Sequence, residues 1–181
     1  LYQLSLYAMQ KDNVIFKDNN RQNIDSQKTE HFGAELSLAI DITRYVTVSG
    51  NFSYGNHQYA SNPLLSGGTG ANIKGKIMDT APRQMHQLAV TVKPIDSSRI
   101  TLEALYMGDY YLDPENLFSY DGHTLYNLRY QQLLPDGWEL GLGVYNLDNT
   151  LYADRADVLG TTERYFVGEP RSTRLSIAKQ F

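Results

Sequence analysis

Alternation with a period of two, repeated in eight segments, constrains this chain more than any other property. In 27–41, Phe32, Ala34, Leu36, Leu38 and Ile40 fall on one side, with His31, Gly33, Glu35 and Ser37 on the other. Segments 2–12, 45–55, 83–93, 99–108, 123–132, 137–146 and 172–181 repeat the pattern. Such a period marks a strand whose two faces meet different surroundings. The 14 Tyr agree with it, because aromatic side chains suit a pleated surface.

The connections are sorted as well. Those around 13–26, 56–82 and 147–171 are long and 109–122 is of medium length, whereas DITR (41–44), PIDSS (94–98) and LPDG (134–137) are short. Long and short ones alternate, so tight turns collect at one rim and loops at the other. The pattern predicts an all-β, antiparallel up-and-down transmembrane β-barrel. Charged Glu35, Glu103, Arg129, Glu139 and Arg174 stand mid-strand opposite the apolar face, which suits a wet or plug-filled lumen with lipid outside. Tyr106, Tyr126, Tyr130 and Trp138 then fit interfacial aromatic belts. A mean hydropathy of −0.43 does not oppose this, since only alternate residues need be apolar. A soluble lipocalin-like barrel or sandwich would alternate too, with its apolar side chains inside.

Other chemistry is sparse. The chain has no Cys, hence no disulfide or thiolate metal site, and its net charge of −4 is scattered, with no basic run for nucleic acid. GANIKGK (70–76) approaches a phosphate-binding loop, but Ile77 occupies the place of the Mg²⁺-binding hydroxyl and no helical pattern follows. It is read as a flexible Gly-rich loop. His31, His57, His86 and His123 lack the i, i+4 spacing of a helical zinc site, and no metal site or cofactor is expected. Asp109, Asp113 and Glu115 read as solvated loop carboxylates. No nucleophile–base arrangement argues for catalysis. The opening LYQLSLYAMQ, without Met and already alternating, leads us to expect a piece of a longer polypeptide.

Specific motifs narrow the class. The stretch YFVGEPRSTRLSIAKQF places a Gly168-Glu169-Pro170-Arg171 corner before an alternating strand that ends in Phe181. Upstream, YNLDNTLYADR supplies Asn146, Leu147, Asn149 and Tyr152, with Asp148 where Phe is common. DNVIF, HFGAELSLAI, TAPRQMHQLAV and YDGHTLYNLR follow in the expected order. Together these resemble the C-terminal part of TonB-dependent outer-membrane receptors, over nearly the whole chain. The resemblance implies that residues 1–181 are the last eight strands of a 22-stranded barrel, with the N-terminal plug and earlier strands outside this sequence. A stand-alone eight-stranded outer-membrane barrel is the alternative, eight being a permitted closed number.

The resemblance further implies uptake of a ferric siderophore or similar scarce ligand across the outer membrane of a Gram-negative bacterium, driven by the TonB complex through the plug. Leu175, Ile177 and Phe181 resemble the signal read by the barrel-assembly machinery, with Lys179 interrupting it. Ferric siderophores are often anionic or aromatic, so Arg and Tyr at the long-loop rim are the candidate ligand contacts: Tyr110, Tyr111, Tyr120, Arg155, Arg164 and Tyr165.

Overall fold

In a computed structural model describing residues 1–180, the alternating segments form one antiparallel sheet. The strands are β1 (Tyr2–Lys17), β2 (Asn23–Thr43), β3 (Val46–Tyr59), β4 (Gln84–Val92), β5 (Ser98–Met107), β6 (Tyr110–Tyr111), β7 (Ser119–Tyr120), β8 (His123–Leu133), β9 (Trp138–Tyr145), β10 (Ala153–Leu159), β11 (Thr162–Val167) and β12 (Ser172–Lys179). The sheet runs β1-β2-β3-β4-β5-β8-β9-β12, while β6–β7 and β10–β11 are separate hairpins inside loops. β1 and β12 are its two edges rather than partners, so the chain is an open wall and not a closed eight-stranded ring.

Burial runs opposite to that of a soluble protein. On the convex face Leu88, Leu102, Leu142 and Leu175 are all exposed, Leu102 at 47%. On the concave face Thr101, Glu103 and Asn127 are buried, Glu103 at 5%. A soluble ligand-binding barrel would bury the first set and expose the second. Tyr54, Tyr106 and Tyr126 stand at one end of the convex face, and Tyr130 and Trp138 at the other.

The concave face satisfies its polar groups by a ladder across the strands. Ser37 donates to Asn51 (2.8 Å), Asn51 to Gln87 (3.0 Å) and Gln87 to Glu103 (2.5 Å). Asn127 donates to the same carboxylate (3.0 Å), Arg129 pairs with it at 3.3 Å, and Asn146 N–H donates to Asn127 (3.0 Å). A buried carboxylate held by three donors is tolerable in a lumen wall, because its hydrogen-bonding capacity is met.

Two loop expectations change. The connection around 13–26 is not long: β1 and β2 run past the sheet and leave only 18–22, because Ile24 and Phe16 pair and pack with Tyr59. The loop 147–171 holds a hairpin, β10–β11, since Ala153, Ala156 and Val158 alternate toward a common core. The two hydrophobic cores among the described residues lie at the long-loop rim, with Tyr59 coming from the end of β3. One gathers Tyr59, Leu65 and Ile73, the other Tyr110, Leu112, Ala153, Ala156 and Val158.

Candidate functional site

The long-loop rim is a canopy held by buried carboxylates. Glu115, 1% exposed, accepts from Thr69 N–H (2.7 Å), Thr69 O–H (3.0 Å) and Ala71 N–H (3.0 Å). Lys76 Nζ reaches the Glu115 carbonyl at 2.5 Å. Segment 70–76 is therefore pinned rather than free, and its neighbouring amides cradle a carboxylate as such amides can cradle an anion. Asp113, also buried, accepts from the N–H groups of Glu115, Leu117 and Phe118 (2.8–3.0 Å). Of the three carboxylates expected to be solvated, only Asp109 is exposed. Asp113 and Glu115 are internal because loop 109–122 folds back on 60–83, which local composition does not reveal.

A third buried carboxylate, Asp157, ties the canopy across the mouth. Arg164 (2.8 Å), Arg155 (3.0 Å) and Arg21 all form ion pairs with it. Arg21 comes from the β1–β2 tip, whose Asn19 carbonyl also accepts from Gly160 N–H (2.8 Å) at the β10–β11 tip. Burial alone would raise the Asp157 carboxyl; the Arg21 and Arg164 guanidinium groups outweigh it and hold the carboxyl below the usual carboxylate range. Three cations on one anion leave this cluster net positive.

Five of the six candidate ligand contacts lie in or against the same hairpin, and Tyr111 lies apart from it. Tyr110 is buried in the canopy core, its hydroxyl accepting from Ala156 N–H at 2.8 Å. Tyr120 accepts from Ala153 N–H (3.1 Å), and its oxygen lies 2.9 Å from His123 Nδ1. Tyr111 is half-buried, and its carbonyl accepts from Thr80 N–H (2.7 Å). Arg155 and Arg164 converge on Asp157. Tyr165 is exposed; its hydroxyl donates to Glu163 (2.5 Å), which with partial burial pushes its pKa up to about 12. Sequence reasoning did not place Arg21, Asp157, His123 or Tyr152 at the site; Arg21 meets Asp157, and His123 meets Tyr152, only through long-range packing.

Below the canopy the concave wall forms a cavity of about 530 Å³. Met85, Leu105, Met107 and Leu125 give it an apolar side; His123, Tyr152 and Asp154 lie toward the canopy, and Ser37, Asn51 and Gln87 toward the ladder. The His123 and Tyr152 rings meet at a tilt of 42° with centroids 4.6 Å apart. Among the described residues there is no grouping of three or more His, Cys, Asp or Glu able to hold a metal ion.

The two motif stretches meet at the base of β12. Asn146 Nδ2 donates to the carbonyls of Thr150 (2.9 Å) and Glu169 (3.2 Å), and Asn149 Oδ1 accepts from Arg171 N–H (2.9 Å). A Cβ on Gly168 would fall 2.2 Å from the Tyr152 ring, so any other residue there would have to displace that ring. Leu175 and Ile177 lie exposed on the edge strand, outside the canopy; Phe181 falls outside the described residues.

An antiparallel wall with a polar concave face, an apolar convex face and an ordered canopy on one rim defines a segment of an outer-membrane-type β-barrel. The chain belongs to the TonB dependent receptor-like β-barrel family, whose model matches residues 1–147. Solved structures agree on the fold. The siderophore receptor PiuA from Acinetobacter baumannii aligns with a TM-score of 0.79 at 19% identity, over 97% of this chain and 25% of that one. The ferric citrate transporter FecA in its unliganded form gives 0.77 at 18% identity, over 97% and 28%. The ferric yersiniabactin uptake receptor FyuA from Yersinia pestis gives 0.75 at 14% identity, over 97% and 26%. The chain thus spans about a quarter of the length of these structures. No curated protein matches it significantly.

Proposed function

We propose that this chain is the C-terminal wall and canopy of an outer-membrane transporter that takes up a ferric siderophore or similar scarce ligand. In this reading residues 1–181 close a larger barrel, about 22 strands in all, whose plug receives energy from the TonB complex of a Gram-negative cell. The convex face meets lipid, and Leu175, Ile177 and Phe181 present the edge strand to the barrel-assembly machinery. The observation that carries the reading is the inverted burial: apolar side chains outside, a hydrogen-bonded polar lumen inside, and the hydrophobic cores gathered at the long-loop rim.

Ligand capture falls to the canopy's inner side. Arg155 keeps most of its surface open beside Asp157, and the half-exposed Phe166 ring stands opposite it in the hairpin, 5.8 Å from its guanidinium, so an anionic aromatic chelate would meet a cation and a ring together. The 530 Å³ cavity beneath offers rings and thioethers to its apolar part. The test is binding of ferric catecholate, hydroxamate and citrate complexes to the detergent-purified receptor, with growth under iron starvation. One class should bind, and Arg155→Ala should weaken it. A receptor that binds none, in cells whose iron-limited growth is independent of it, refutes the proposal.

A further inference from the structure

Met9, His31 and His57 occupy one row of the concave face across β1, β2 and β3, Met9 opposite His31 and His31 opposite His57. The two imidazoles meet through their Nδ1 atoms at 2.9 Å. His31 Nε2 lies 2.8 Å from the hydroxyl of Thr29, which is fully buried. Beneath the pair, Gly33 and Gly55 face each other. A Cβ on Gly55 would fall 2.7 Å from His57 Nε2 and 2.9 Å from the Tyr7 hydroxyl; one on Gly33 would fall 2.5 Å from that same hydroxyl. Two glycines thus open a hollow into which the His57 imidazole and the Tyr7 phenol lean, with His31 bonded to His57 beside it and Met9 next in the row.

We propose that this hollow is a binding site for monovalent copper, with His31 Nδ1 and His57 Nδ1 as ligands and the Met9 thioether as the third. Two nitrogens each about 2.0 Å from one metal at a near-tetrahedral angle stand roughly 3.3 Å apart, so the pair needs to part by only a few tenths of an ångström. The proton account closes without an added base. In the metal-free pair one ring donates to the other through Nδ1; with metal bound, the His31 proton resides on Nε2, where the Thr29 hydroxyl accepts it. Holding the far ring nitrogen in this way orients a ligating histidine.

The donor set selects the ion. Thioether and imidazole are ligands of monovalent copper, and the row contains no carboxylate to neutralise a second charge. Lys11 lies one residue pair further along the same face, opposite Thr29, and its ammonium repels a divalent ion twice as strongly as a monovalent one. The site does not rest on which ligand the receptor imports, so it can fail while the transport reading stands, and the reverse.

The experiment is a Cu(I) titration of the detergent-purified receptor against a chromogenic Cu(I) chelator, under anaerobic reducing conditions, with Zn(II) as the comparison ion. One Cu(I) per chain should be retained against the chelator. His57→Phe, which keeps a ring without a donor, and His31→Ala should abolish retention; Thr29→Val should weaken it roughly 10-fold. Gly55→Ala removes no donor yet should also reduce binding, because its Cβ displaces the His57 ring. His86→Ala, on the convex face, should leave it intact. Circular dichroism establishes that each variant is folded. Absence of Cu(I) binding in the folded receptor, retention unchanged in His57→Phe, or Zn(II) bound as tightly as Cu(I) would each overturn the assignment.

Discussion

Replacing Glu115 with Ala tests whether the canopy is fastened by buried carboxylates rather than by loop packing alone. The side chain accepts two backbone N–H bonds, from Thr69 and Ala71, and one hydroxyl bond. Bonds to a charged acceptor contribute about 1.5–3 kcal/mol each. Thr69 and Ala71 are themselves exposed, so water can replace part of the loss. The expected weakening of the 60–83 loop is therefore about 2–4 kcal/mol, or roughly 30- to 700-fold faster amide exchange by local opening. Amides of Ile73 and Ile77 report it, because each donates to a side-chain oxygen in the same canopy. Glu115→Gln should be much milder. Oε1 accepts from all three donors, so an amide oxygen placed there keeps those bonds and loses their charge assistance and the Thr69 N–H share taken by Oε2, about 1–2 kcal/mol. Exchange at Leu102, in the sheet, should not change. Equal effects of Ala and Gln, or no effect of either, would refute the argument.

Three further outcomes follow from the same structure. Asp157→Asn leaves Arg21, Arg155 and Arg164 without their shared anion and should loosen β10–β11 by roughly 3 kcal/mol, read as exchange in 153–167. The wild-type carboxyl is held below 3.8, so this contribution is complete above that pH and disappears as pH falls further through the folded value; acid-induced loosening of the hairpin only at pH 5–6 would contradict it. Asp79 behaves oppositely: burial raises it from 3.8 to about 6 despite the bond from Tyr59, so the folded state holds the extra proton and stability falls as pH rises from 3.8 to 6. Asp79→Asn should flatten that slope in thermal scans, and an unchanged slope would count against the burial argument. Leu102→Arg, on the convex face, should destabilise the membrane-inserted barrel by about 2–4 kcal/mol in folding titrations with lipid vesicles, whereas a neutral effect would put that face in water.

The sheet was legible because lipid on one side and a polar lumen on the other impose period two on every strand. All eight alternating segments became wall strands, with the register that puts Glu103 inside and Leu102 outside. The C-terminal motifs were legible for a local reason as well. Asn146, Asn149 and Gly168 form one knot of turns, and few other residues fit it.

The canopy was not legible in the same way. Whether a loop carboxylate is solvated or buried depends on what folds over it, and the partners of Glu115, Asp113 and Asp157 lie in other loops or elsewhere in the same one. The hairpin in 147–171 escaped notice because its alternation, Ala153, Ala156 and Val158, is interrupted by a register shift after Ala153. Arg155 and Arg164 were named from residue type, yet the shared carboxylate that holds them, and the reach of Arg21 from a distant hairpin tip, exist only in three dimensions. The four histidines read as unrelated by spacing, and pairing β2 with β3 brought two of them to 2.9 Å. Sequence by itself therefore determined the wall, because a strand's faces are set by immediate neighbours and by the medium. Tertiary structure alone decided the canopy and the histidine pair, because both depend on contacts between residues far apart along the chain.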